Sequence, residues 1–166
     1  MITPRLQESP IDSALHIAHF TDEVPADGSL VRAWGSHVTL VPPFKYDGSF
    51  EAVVGLVEER TRAYGQLVLE VASLGNFGST GSDRGVSFIR NDAWMQLRSE
   101  LLESLGSLGA SFVDTTWLGY NYIPHCILKP GEELPNPLVV DSLSINRKQQ
   151  LSYGASASKW TIETPL

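Results

Sequence analysis

Cysteine is almost missing from this chain: Cys126 is the only one among 166 residues. A single thiol closes no intramolecular disulfide, and no Cys/His group has the spacing of a zinc site. Long apolar runs are missing as well. No segment approaches the roughly 20 residues that cross a bilayer, and the start, Met1-Ile2-Thr3-Pro4-Arg5, has no apolar h-region. The expected setting is therefore soluble and cytoplasmic, with no membrane partner. Cations are scarce: 12 Lys and Arg face 19 Asp and Glu, a net charge of −7. Long duplex nucleic acid is gripped through many Lys and Arg contacts to phosphates, so that partner is not expected. A short nucleotide in one local pocket stays open.

What the chain does have is core material. Apolar residues make up 42%, with four tryptophans, five tyrosines and six phenylalanines. That supply suits one packed domain over residues 1–166 and excludes a disordered chain. Residues 14–20 read as a first strand and 21–29 as an acidic loop. A second strand follows and stops at Pro42-Pro43, where backbone donors are lost. Residues 49–62 carry helical spacing, with Ser49 as N-cap and Gly65 as stop. Residues 66–71 alternate like a strand, and 75–85, rich in Gly and Ser, read as a flexible loop before a short strand at 86–90. A second helix spans about 92–108, capped by Asn91 or Asp92 and ended by Gly109. Extended pieces are expected at 111–113, 120–129, 138–147 and 158–164. Strands outnumber helices, and each half supplies one helix. The fold class is α+β: two antiparallel half-sheets, pseudo-two-fold and bilobal, with a central groove and outer helices. The two pseudo-repeats are about 11–75 and 85–164, and a monomer is expected.

The chemistry concentrates in two stretches, Ser36-His37-Val38-Thr39-Leu40-Val41-Pro42-Pro43-Phe44 and Ile123-Pro124-His125-Cys126-Ile127-Leu128-Lys129-Pro130. Aligned on their histidines, both read His-x-x-Leu-x-Pro. Side chains alternate along a strand, so His37 and Thr39 share one face while Val38 and Leu40 take the other. One histidine from each half suggests two imidazoles across a groove. Cleaving a phosphodiester beside a ribose hydroxyl needs one proton removed from the nucleophile and one delivered to the leaving oxygen. Imidazole serves both roles near neutrality. The Thr39 hydroxyl is suited to a nonbridging phosphate oxygen.

His37-Val38-Thr39-Leu40 with Pro42-Pro43-Phe44 resembles the first signature of the 2H phosphoesterase superfamily, the 2′-5′ RNA ligase and cyclic phosphodiesterase-like proteins. The separation of about ninety residues between the histidines, the aromatic-Ile-Pro-His approach at Tyr122-Ile123-Pro124-His125 and Leu143-Ser144-Ile145-Asn146-Arg147 extend the resemblance over nearly the whole chain. It implies metal-independent chemistry, without a cofactor, on 2′,3′-cyclic ends, 2′-5′ linkages or cyclic nucleotides. The catalytic pair carries over onto His37 and His125, and the phosphate-binding hydroxyl onto Thr39. The second motif departs: Ile127 stands where the family has Thr or Ser, and Cys126, one residue on from the histidine, faces the other way. Lys129, Tyr122 and Tyr153 are the candidates to replace the lost donor. With Phe44, these three make up the expected substrate contacts.

Other readings stay beside this one. His16 and His19 are expected to be structural, with His16 sharing a face with Ala18 and Phe20, and Cys126 to be a small core residue. The 75–85 stretch lacks a phosphate-loop lysine and precedes a strand, so it is no nucleotide cradle. Trp34, Trp117, Tyr120 and Trp160 are mainly core or edge residues, with one or two left for base stacking. The expected partner is a small nucleotide or RNA end. Alternatives are a phage counter-defence enzyme that destroys cyclic oligonucleotide signals, and a weakened nucleotide-binding module, a sponge or sensor, which Ile127 favours.

Overall fold

The structure, a computed structural model, describes residues 14–21, 30–31, 35–77, 81–116, 118–119, 121–148, 156–157 and 160–162. Its elements in chain order are β1 (Ala14–Phe20), β2 (Leu30–Val31), β3 (His37–Lys45), α1 (Phe50–Thr61), β4 (Leu67–Leu69), β5 (Val71–Phe77) and β6 (Asp83–Phe88). Then come α2 (Asp92–Leu108), β7 (Ser111–Phe112), β8 (His125–Ile127), β9 (Leu138–Val140), β10 (Leu143–Lys148), β11 (Ser156–Ala157) and β12 (Trp160–Ile162). The fold is α+β. An eight-stranded sheet runs β12-β10-β1-β3-β8-β6-β5, with β7 added against β3, and β2–β11 and β4–β9 form separate two-stranded pairs.

Side-chain alternation sorts the large sheet into two faces. Leu15, Ile17, Val38, Leu40, Val86, Cys126, Leu143 and Ile145 are buried in one continuous core with Val53 and Val57 of α1 and Trp94, Leu97, Leu101 and Leu105 of α2. His16, Ala18, Phe20, His37, Thr39, His125 and Ile127 alternate with these and take the opposite face. Both helices thus cover one face, and the face bearing the histidines is left for a cleft.

Local chemistry sets the helix ends. Ser49 Oγ accepts from Ala52 N and Asn91 Oδ1 from Trp94 N, each satisfying a first-turn donor. Gly109 ends α2 in the left-handed region at φ 105°, a conformation that suits a residue without Cβ. Helix α1 ends at Thr61, with Arg62 as its C-cap, before Gly65.

Four segments differ from the expectation. The prolines do not stop β3, which runs on to Lys45. Its register against β1 shifts twice, between Ile17/Ala18 and Leu15/Ile17, and Pro42 and Pro43 lie in the second bulge, where missing donors break no ladder bond. The 120–129 strand shortens to three residues, and Pro124 gives its carbonyl to Phe88 N just before it. The described ends of the 75–85 stretch are paired: 75–77 meet 83–85 in the β5–β6 hairpin, with Gly75 and Gly85 as partners. Residues 138–147 also divide, β9 pairing with β4 and β10 with β1.

Candidate active site

Strands β3 and β8 meet at a single pair of Cα partners, Val38 and Cys126, and the side chains of both are fully buried. Continuing this antiparallel register places Thr39 opposite His125 and His37 opposite Ile127. All four point away from the core. The two histidines are therefore diagonal neighbours across the strand pair, where Cα atoms stand roughly 7–8 Å apart. They open on a common cleft of about 190 Å³ lined by Gly35, Ser36, His37, Thr39, His125, Ile127, Leu128 and Lys129.

Both rings are fixed the same way. His37 Nδ1 lies 2.8 Å from Gly35 O, and His125 Nδ1 lies 2.8 Å from Ile123 O. A carbonyl only accepts, so each Nδ1 carries the hydrogen and donates it to the carbonyl two residues earlier. That leaves Nε2 of each ring as the nitrogen that gains or loses a proton.

The surroundings of the two rings differ. His37 is half-buried beside two rings of β1: His16 meets it edge-on (centroids 5.5 Å, interplanar angle 78°) and Phe20, its register partner, is tilted at 5.6 Å. His16 itself is 1% exposed, beneath the cleft. Among the described residues, His125 is braced by one ring, Phe77, parallel to within 4° at a centroid distance of 4.8 Å. The strand bearing His125 also pairs on its other side with β6, where Ser87 is its partner.

The backbone of β3 is held from the core side. The Tyr122 hydroxyl donates to Thr39 O at 2.7 Å and accepts from Trp94 Nε1 at 2.8 Å. The Arg98 guanidinium lies 3.8 Å over the Tyr122 ring, with Nη1 3.4 Å from Leu40 O. Burial pushes the Tyr122 hydroxyl up to about 12, so it stays a donor at any ordinary pH. At the mouth of the cleft the Glu132 carboxylate accepts from both Ser36 Oγ (2.6 Å) and Lys129 N (2.8 Å), joining the entry of β3 to the exit of β8.

The cleft thus brings together His37, His125, Thr39, Ile127 and Lys129. Two expected substrate contacts are corrected. Phe44 is fully buried: an odd number of residues from His37 and Thr39, it shares the core face of β3 with Val38 and Leu40 and packs near Phe112. Tyr122 is 7% exposed and spends its hydroxyl on Thr39 O and Trp94, inside the core. Tyr153, Trp34, Trp117 and Tyr120 lie outside the described residues, as does the side chain of Trp160. Phe77, Gly85 and Glu132 were not legible as site neighbours. The facing positions of Gly75 and Gly85 in a hairpin were the available signal for the first two. His19, 4% exposed, faces the core and donates Nδ1–H to Ser142 O, and burial holds it below its ordinary value of 6.5.

Residues 9–134 match the 2′-5′ RNA ligase superfamily. The fold is shared with a solved structure of a phosphoesterase, at 16% identity and a TM-score of 0.51, covering 92% of this chain and 99% of that one. The apo form of E. coli LigT is also similar, at 15% identity and a TM-score of 0.46, with 92% and 99% covered. No curated protein matches the chain by sequence. With the family match spanning well over half its length, this chain belongs to the 2′-5′ RNA ligase superfamily.

Proposed function

We propose that the chain is a metal-independent phosphodiesterase for a small RNA-derived or cyclic nucleotide phosphodiester, with His37 and His125 as the acid/base pair and the Thr39 hydroxyl as a hydrogen-bond donor to the phosphate. The observation that carries this reading is the matched pair of Nδ1–H bonds at 2.8 Å, which turns two diagonal imidazoles into two proton-handling Nε2 atoms over one cleft. In the reaction, one neutral imidazole takes the proton of the attacking hydroxyl, from the ribose or from water, as the new O–P bond forms. The other, protonated, gives its proton to the leaving oxygen as the old P–O bond breaks. The rings finish in exchanged protonation states, and solvent resets them. The Thr39 hydroxyl faces the charge that grows on a nonbridging oxygen.

The test is turnover of 2′,3′-cyclic nucleotides, 2′-5′ dinucleotides and cyclic di- and trinucleotides in EDTA, with His37→Ala and His125→Ala beside the parent. Expected are turnover in EDTA, its loss in both variants and a bell-shaped pH profile. Activity that needs a divalent metal would count against the mechanism.

A second reading has one observation in its favour. Ile127, 37% exposed, lines the cleft at the position related to Thr39, so the second strand offers no hydroxyl there. A module that binds a nucleotide without cleaving it fits that loss. Binding of a panel member by calorimetry without turnover would select it.

A further inference from the structure

We propose that Phe77 is a positioning residue for His125: its ring, lying across Gly85, holds the imidazole in the orientation that presents Nε2 to the cleft. The proposal rests on the phosphodiesterase reading for its kinetic part only.

Strand β5 lies at the end of the sheet, and between Val71 and Phe77 none of its residues is fully buried. A phenyl group there gains little from the core. It is instead half-exposed and parallel to the His125 ring, at the spacing of an offset stack. To reach that ring it must pass over β6, which separates β5 from β8. The residue it crosses is Gly85, which pairs with Gly75 on one side and Ile127 on the other. A Cβ on Gly85 would lie 2.8 Å from Phe77 Cδ2 and 2.7 Å from Cys126 O, so only glycine leaves the phenyl its place. A Cβ on Gly75 would meet Phe77 no closer than 3.6 Å. The path to His125 is thus built by an absent side chain.

His125 has more need of such a brace than His37. Among the described residues, one hydrogen bond, to Ile123 O, fixes a single atom of this imidazole on a three-residue strand. A flat surface against one face removes the remaining rotation about the Cβ–Cγ bond. On the other strand that service comes from Phe20 and His16 of the adjacent β1. The equivalent ring for His125 comes from two strands away, which is why sequence proximity does not reveal it.

The experiment uses the full chain with Phe77→Leu, Phe77→Trp and, on the opposite face of β5, Leu74→Ser. Phe77→Leu is expected to lower kcat about 10- to 100-fold with KM within about three-fold, the scale of a misplaced reacting group. Phe77→Trp, which restores a flat aromatic face, should recover most of that loss, and Leu74→Ser should keep the parent rate. Independently of any activity, the His125 ring protons should lose their ring-current shielding and move downfield in Phe77→Leu, read by NMR with His125→Ala for assignment. Unmoved His125 resonances, a change in KM alone, an equal loss in Leu74→Ser, or no recovery with Phe77→Trp would each overturn the proposal. If the parent turns over nothing, the resonances still decide whether Phe77 orients His125, separately from the phosphodiesterase reading.

Discussion

The two sides of the cleft share a backbone device and differ in nearly everything around it. On one side His37 opens a nine-residue strand, sits beside Phe20 and His16, and is followed by a hydroxyl at Thr39. On the other side His125 opens a three-residue strand, leans on one phenyl from a sheet-edge hairpin, and is followed by an aliphatic residue at Ile127. The bond from Nδ1–H to the carbonyl two residues back is the same in both. The hydrogen on Nδ1 is therefore set by local backbone geometry, which a short strand supplies as well as a long one. The hydroxyl two residues after each histidine is a separate matter, and only the His37 side has it, at Thr39.

The largest expected effects come from the rings. His37→Ala and His125→Ala should each lower kcat by about 10²–10⁴, and the double variant should be little worse than either, because the two act as a unit. Rates measured by product chromatography would break the comparison if the enclosed ring proved dispensable and the open one did not. Next, Thr39→Val should lower kcat by roughly 10²–10³, the worth of one donor to developing charge. Its counterpart Ile127→Thr should raise the rate; a flat response would mean that another cleft residue, Lys129 first, already fills that place.

Tyr122→Phe acts from beneath the site. It strands Trp94 Nε1 and Thr39 O in the core, so chemical denaturation should show a loss of about 1–3 kcal/mol. The smallest effect concerns His19, whose burial favours the neutral ring and lowers its pKa from 6.5. Below that value the unfolded chain binds the extra proton more readily, so the stability is present above pH 6.5 and declines as pH falls beneath it. Thermal melts from pH 7.5 to 5 should show that decline, and His19→Gln should flatten it.

Several of these features could be read from the chain itself. Both helices, their caps Ser49, Asn91 and Gly109, the strand 14–20 and the pairing of His37 with Thr39 follow from period, capping chemistry and alternation, which are local. What escaped depends on partners. Pro42 and Pro43 signal a stop until β1 shifts register around them. Gly75 to Gly85 looks like a loop because glycine usually marks one, yet here Gly85 makes room for Phe77. Phe44 and Tyr122 have the composition of substrate contacts, but Phe44 lies on the core face with Val38 and Leu40, and Thr39 O with Trp94 claims the hydroxyl of Tyr122. Glu132 is one acid among many until Ser36 and Lys129 arrive on either side of it.

The junction between β3 and β8, one residue pair wide, has a mechanical consequence. A contact so narrow acts as a pivot: it fixes where the two arms of the sheet cross but resists little twisting. His37 and His125 ride on opposite arms, so a small turn about Val38 and Cys126 changes the gap between them as one coordinate. The ties that span the pivot are the Tyr122 phenol beneath and the Glu132 carboxylate at the rim, which act as two latches on that gap.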